Sequence, residues 1–221
     1  MFTRCYRCFR PTKNCLCSNI NPIHTGIKFI FLMHPREAFH QKTGTGRLAA
    51  LSLDDSEIII GIDFTNNKRL NELLDSHGEG AAYKPFLLYP DSSAVFTDSP
   101  EFRTSIGDLK PLVILVDATW FFAKKMIRLS KNLHNLPKLS FKNEYRSQFQ
   151  FKKQPEQACL STIETSFYLL EEFKTAGIVS SSVDPRGLMT VFNQMVNHQL
   201  ACEQARQMEE AKVLNPELFN R

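Results

Sequence analysis

No apolar run in this 221-residue chain approaches the ~18 residues that a membrane-spanning helix needs; the longest lie near IKFIFLM and PLVILV. The opening stretch MFTRCYRCFR holds arginines and cysteines where a secretory signal would hold its apolar run. There is no internal repeat and no low-complexity tract. The glycines of QKTGTGRLA lack the Gly-Lys-Ser/Thr that a Walker A loop requires at this spacing, which excludes a P-loop. Neither sign of charge dominates: 27 Lys and Arg against 23 Asp and Glu leave a net +4 with histidine neutral, and the pI is 8.7. Such a balance permits a polyanionic partner without demanding one. These absences predict a soluble cytoplasmic protein with no membrane contact, in which six cysteines are not expected to form disulfides. The composition, 43% hydrophobic and 23% charged, is enough for a real core.

Four of the six cysteines stand in CYRCFRPTKNCLC, spaced Cys-x2-Cys-x6-Cys-x-Cys. Short loops pre-place thiolates in pairs, Pro11 and Asn14 suit turns between the pairs, and tetrahedral zinc takes four soft ligands. Cys5, Cys8, Cys15 and Cys17 are therefore candidate ligands of a structural Zn2+, with every coordination position filled by protein. Cys159 and Cys202 read as core thiols, since free cysteine packs as a small hydrophobe.

Around Asn19–Thr25 the pattern changes, and the expected division is a zinc-binding knuckle over residues 1–22 and an α/β body over residues 23–221. Apolar runs at 27–33, 56–64, 84–90 and 112–117 read as buried strands, with PKLSF and the start of ACLST as shorter ones. The stretch between His34 and Arg47 reads as a polar, glycine-bearing loop that enters a helix near Arg47. Helical spacing recurs in NNKRLNELLDSHG, from about Thr119 to Asn132, and through STIETSFYLLEEFKTAG to Gly177. A long final helix carries Leu188, Phe192, Met195 and Val196 on one stripe. Unalternated strands separated by helices imply a mostly parallel sheet with helices on both faces. Ligands then collect at the carboxyl ends of the strands.

Several polar residues fall at those ends. The strand Leu112–Asp117 runs into Asp117-Ala118-Thr119-Trp120, which contains the only tryptophan. Asp117 suits a helix N-cap or a catalytic carboxylate, and Trp120 a core aromatic or a site wall. TGTGRLA, opening a helix, suits an anion cradle or a plain turn. His34, Arg36, Glu37, Lys42 and Arg47 gather a histidine, a carboxylate and cations nearby. Ser161 and Glu164 have capping-box spacing. KNEYRSQFQFKKQ interleaves Lys142, Arg146, Lys152 and Lys153 with Tyr145, Phe149 and Phe151, as either a half-buried edge strand or a surface for single-stranded RNA.

Taken together, these segments resemble the DTW-domain family, named for Asp-x-Thr-Trp. CYRCFRPTKNCLC resembles its zinc knuckle, HPRE its His-Pro-x-Glu element, and TGTGRLA its Thr-Gly-Arg segment. LLYP and LSTIE stand in the family order. SQFQFKKQP is similar to its Ser-x-Tyr-x-x-Arg region, with Phe149 in place of tyrosine and Lys152 in place of arginine.

The resemblance implies a SPOUT-related α/β fold with a trefoil knot. It implies a tRNA-uridine aminocarboxypropyltransferase that moves the 3-amino-3-carboxypropyl group of S-adenosyl-L-methionine to uridine N3 (acp3U) and releases methylthioadenosine. The donor pocket would then be lined by Leu88, Tyr89, Pro90, Val116, Asp117, Thr119, Trp120, Leu160, Ser161, Thr162 and Glu164. Arg36, Arg146, Lys152 and Lys153 would serve the RNA, and His34, Glu37 and Arg47 would face the RNA or the donor's carboxypropyl end. Asp117 would be the base for N3 or a contact for the donor's ammonium. A SPOUT-class RNA methyltransferase and a non-enzymatic zinc-knuckle RNA-binding module are the competing expectations.

Overall fold

The computed structural model describes residues 4–41, 43–75, 81–149 and 160–214, with side chains through residue 211. Among these residues, six strands form one sheet: β1 Lys28–Met33, β2 Ser56–Ile60, β3 Tyr83–Leu88, β4 Val95–Phe96, β5 Lys110–Asp117 and β6 Lys138–Ser140. Their order is β2-β1-β5-β3-β6-β4, and every neighbouring pair is parallel. The α-helices are α1 Pro35–Phe39, α2 Gly46–Leu51, α3 Lys68–Leu74, α4 Pro100–Ile106, α5 Trp120–Leu129, α6 Thr162–Thr175 and α7 Arg186–Leu214.

Side chains alternate across a strand, so β1 and β5 supply both faces of the sheet. Phe29, Phe31, Val113, Leu115 and Phe86 pack on one face under Leu48 of α2, Phe173 of α6 and Phe192 of α7. Ile30, Leu32, Leu112, Ile114 and Leu87 pack on the other under Leu70 and Leu73 of α3 and Met126 of α5. Each fully buried Phe, Leu or Ile stabilises the fold by about 1.5–3 kcal/mol. The expected sheet with helices on both faces is thus present. The stripe Leu188, Phe192, Met195 and Val196 of α7 is buried. Cys8 and Ile20, from the cysteine-rich segment, join the first face's core.

The amino ends of the strands are sealed by ions. Buried Lys28 donates to Asp55 at 2.8 Å and to Glu57 at 2.5 Å. Lys110 donates to Asp55 at 2.6 Å, and Arg69 grips Glu57 at 2.9 and 2.6 Å. Glu57 is held down to about 2, chiefly by the Arg69 hydrogen bonds and then by Lys28, against the upward pull of burial.

Several local expectations are corrected. The stretch after His34 is not wholly loop: Pro35 starts α1, and His34 caps it by accepting the Arg36 N–H at 3.1 Å. Thr119, not Asp117, occupies the N-cap of α5. Leu160 and Ser161 are not in a strand, and Cys159 lies outside the described residues. Lys142–Phe149 forms no edge strand. β4 and α4 lie in a stretch where only two residues pair, too short for a pattern of period two to show. Cys202 is exposed, 3.7 Å from His198 Nδ1, rather than a core thiol.

Candidate active site

β5 ends level with β1, Asp117 opposite Met33. The His34 N–H continues the ladder by donating to the Asp117 carbonyl at 3.0 Å. The Asp117 side chain is thereby fixed at the sheet's carboxyl edge, only 6% exposed. The Thr162 hydroxyl, at the start of α6, donates to Asp117 Oδ1 at 2.5 Å. Oδ2 lies against α2: a Cβ on Gly46 would come within 2.1 Å of it. Gly46 is therefore required by close approach. The anion at the TGTGRLA turn is the protein's own carboxylate. Burial pulls the neighbouring Arg47 guanidinium below its ordinary value, and the charge on Asp117 works against that pull.

Two cavities meet at this carboxylate. The first has a volume of about 640 Å³ and is lined by residues 88–90, 115–120, 139–141 and 160–162, together with Glu37, Glu144 and Tyr145. The second, of about 420 Å³, lies between the cysteine-rich segment, α1, α2 and α7. Glu37, Gln41 and Asp117 line both. Among the described residues, the first lining contains no Lys, Arg or His. The second includes Arg4, Arg10 and Arg47, with His40 and His198.

The first cavity has an aromatic wall. Trp120 is 38% exposed and stacks on Tyr89, ring centres 5.7 Å apart, with the Lys124 ammonium 5.3 Å from its own ring centre. The opposite wall hangs from α6. Glu164, fully buried, accepts from Ser161 N at 2.9 Å, completing a capping box, and also from Ser147 Oγ and Gln148 N at 2.8 and 2.6 Å. Glu172 accepts from Thr97, Asn143 and Tyr145. Burial, with the Glu172 carboxylate as a lesser cause, pushes Tyr145 up to about 12, so it donates rather than ionises. Two buried glutamates thus hold residues 141–149 over the cavity.

The residues expected at a site divide. Those expected from LLYP, VDATW and the Leu160–Thr162 segment line the first cavity, while Glu164 stands behind its wall. Arg47 lines only the second cavity. His34 is buried, stacks on Phe122 at 4.3 Å and lines neither cavity. Burial, then Arg36 and Lys125, holds it below its ordinary value, so it serves as a neutral cap. Arg36 lies over Phe122 at 5.5 Å, and exposed Arg146 lines neither cavity. Lys42, Lys152 and Lys153 lie outside the described residues. The Gly46 contact, the Thr162 hydrogen bond and the second cavity carry no sequence signal beyond the residues' proximity to strand ends.

Cys5, Cys8, Cys15 and Cys17 come together, all four sulfurs within 4.8 Å of one another. The pairs Cys5–Cys17 and Cys8–Cys15 are each 3.8 Å apart. Zinc–sulfur bonds of about 2.3 Å in a tetrahedron require sulfur separations of about 3.8 Å. The donor set therefore fits a metal ion of that kind. Backbone N–H groups of Cys8 and Arg7, in that order, draw Cys5 down to about 6.

A sequence model of the DTW domain matches residues 2–200. The chain belongs to the DTW-domain family. The DTW motif is Asp117-Ala118-Thr119-Trp120. Curated relatives include proteins named tRNA-uridine aminocarboxypropyltransferase 2. The one from Mus musculus is 30% identical over 164 residues, covering 72% of this chain and 53% of the relative. Those from Macaca fascicularis and Drosophila melanogaster are each 28% identical over 170 residues, covering 72% and 74% of this chain and 53% and 63% of the relatives. The chain thus spans about half the length of the mouse and macaque proteins. No solved structure matches. Among the described residues of this DTW protein, no helix is long and apolar enough to cross a membrane.

Proposed function

We propose that this DTW-domain protein is a cytoplasmic tRNA-uridine aminocarboxypropyltransferase. It uses S-adenosyl-L-methionine as donor, modifies uridine N3 and releases methylthioadenosine. The observation that carries this reading is a buried carboxylate, Asp117, lining two adjoining cavities of different charge. The donor bears a sulfonium and an ammonium against one carboxylate, so it is net positive. The first cavity suits it, since its described lining offers Glu37, Asp117 and Glu144 and no cation. The apolar walls at Leu88 and Val116 and the Tyr89–Trp120 stack suit an adenosyl group. The donor supplies an electrophilic carbon next to a good leaving group.

The chain's own contribution is position and proton transfer. Thr162 and Gly46 hold the Asp117 carboxylate in one place. The N3 proton passes to Asp117, the N3 electron pair forms the new N–C bond, and the C–S pair leaves with the sulfur as a neutral thioether. Fixing the two reactants next to each other beside one carboxylate supplies much of the rate. Zinc held by Cys5, Cys8, Cys15 and Cys17 is structural, because four thiolates leave no open position. The exposed cations Arg36 and Arg146, together with Lys152 and Lys153 of the KNEYRSQFQFKKQ segment, serve the tRNA backbone. The reading also places the chain near the SPOUT class. It is supported by β5 being inserted between β1 and β3, both earlier in the chain.

The test is nucleoside mass spectrometry of tRNA from cells with and without this gene, alongside calorimetry of the purified protein with S-adenosyl-L-methionine. An aminocarboxypropyl adduct lost with the gene supports the reading. A methyl adduct points to the methyltransferase, and absence of donor binding to a non-enzymatic RNA-binding protein.

A further inference from the structure

Phe9 is the one non-glycine among the described residues in the left-handed region, with φ +60°. Its N–H donates to the Cys5 carbonyl at 2.9 Å, closing the Cys-x2-Cys loop. That turn dictates the positive φ, and glycine would adopt it without strain. A phenylalanine there is strained, and strain retained in a fold is a reason to look for what the side chain does. The ring is 40% exposed on the wall of the second cavity. The Arg47 guanidinium carbon lies 4.0 Å from its centre. Arg47 Nε is buried with no hydrogen-bond partner, and Nη2 reaches the Ala38 carbonyl only at 3.4 Å. The cavity wall thus carries a stacked aromatic–guanidinium pair, Phe9 under Arg47. Arg4 lies at its rim, and Asp117 lies at its junction with the first cavity.

Unpaired bases are held by stacking on aromatic rings and arginine planes, with donors meeting their carbonyl oxygens and cations meeting the flanking phosphates. The volume of about 420 Å³ is that of a small-ligand pocket. We propose that the second cavity receives the acceptor nucleotide, extruded from the tRNA, and that Phe9 and Arg47 form the shelf on which its base stacks. The base then reaches Asp117 from the second cavity and the donor from the first, so that N3 and the donor carbon meet beside the carboxylate. This rests on the transferase reading above and adds to it a role for the cysteine knuckle: it is a wall of the acceptor site as well as a fold element. Arg10 seats that wall by donating to the Gly44 carbonyl at 3.0 Å and contacting Met195 Sδ at 2.9 Å.

The test uses Phe9→Gly, which relieves the strain while deleting the ring. Four quantities are read: zinc content, S-adenosyl-L-methionine affinity by calorimetry, affinity for total tRNA by fluorescence anisotropy, and KM for tRNA against kcat. We expect zinc and donor affinity to be retained while tRNA affinity falls and KM rises by roughly 5- to 150-fold, the range spanned by one base–aromatic stack. Phe9→Tyr should restore the loss. If the glycine variant loses zinc, Phe9→Asn repeats the test, because asparagine also tolerates the left-handed region. A zinc-loaded variant with wild-type tRNA affinity and KM overturns the proposal. A wild-type protein that binds no donor overturns the transferase reading instead; tRNA affinity that still depends on Phe9 would then uphold the shelf.

Discussion

At the amino ends of β1 and β5, Lys28 and Lys110 both bind Asp55, and Glu57 joins Lys28 to Arg69. At the carboxyl ends of the same strands, Asp117 accepts a hydroxyl from Thr162 and borders two cavities. Both ends bury charge: at the amino ends it is held in a network of carboxylates and cations, and at the carboxyl ends it lines two cavities. The closed network binds strands together; the open end leaves a carboxylate accessible to whatever enters. Parallel sheets put these two roles at opposite ends because the crossover connections leave their loops there.

Breaking the open end should produce the largest effect. With Asp117→Asn we expect transfer to fall by roughly 10²–10⁴, the usual range for loss of a general base. Melting temperature should change little, because Asp117 is not the cap of α5, and donor affinity should fall only modestly, because Glu37 and Glu144 keep the first cavity anionic. Single-turnover transfer with total tRNA measures the first, and calorimetry and thermal melting the others. If donor binding vanishes instead, Asp117 contacts the ammonium.

Breaking the closed end should reverse that pattern. Each single change is buffered, since Lys28 keeps one carboxylate when Asp55 or Glu57 is lost. The double variant Asp55→Asn/Glu57→Gln leaves Lys28 buried without an anion and should cost about 3–5 kcal/mol in urea unfolding. Transfer per folded molecule should stay near wild type at low temperature. A loss of transfer at full folding would mean that the two ends are coupled.

Acid separates the ends by pH. His34 is held below its ordinary 6.5, so the unfolded chain takes its proton first and stability falls as pH drops from about that value. Glu57 is held down from 4.5 to about 2, so its contribution is complete above 4.5 and is lost as pH falls through about 2. Urea unfolding across this range should show His34→Gln flattening the upper step and Glu57→Gln the lower.

The smallest effect expected is on the outer surface. Arg146→Gln should reduce the log–log salt slope of tRNA binding by about 0.7–0.9 if it meets one phosphate. An unchanged slope would remove it from the RNA footprint.

The parts of this molecule legible in sequence are those set by one segment alone. The apolar runs of β1 and β5 announce buried strands, the thiol spacing announces a metal knuckle, and Ser161 with Glu164 announces a helix start. Asp117, at the end of a run, could be singled out. The resemblance placed Thr162 in the same pocket, but the hydrogen bond between them could not be read, because Thr162 is 45 positions away and joins Asp117 only through folding. Glycine in TGTGRLA looked like a cradle for a bound anion, since proximity to a side chain 71 positions later leaves no local trace. His34 looked like a site residue because its chemistry suits one; burial and the α1 cap assign it to the fold. β4 is simply too short to read.

The central strand also sets an order of assembly. β5 pairs on one side with β1 and on the other with β3, and both precede it in the chain. During synthesis, β1 with β2 and β3 must wait as separate pieces until residues 110–117 emerge. Such long-range pairing is slow, because loop closure precedes any gain from contact. The strand that closes the gap is the one that ends in Asp117. A nascent chain cut short before it has neither a complete sheet nor the carboxylate, whereas a chain that completes the sheet has already placed that group. Quality control that recognises the unfilled gap would therefore also remove molecules without the reactive edge.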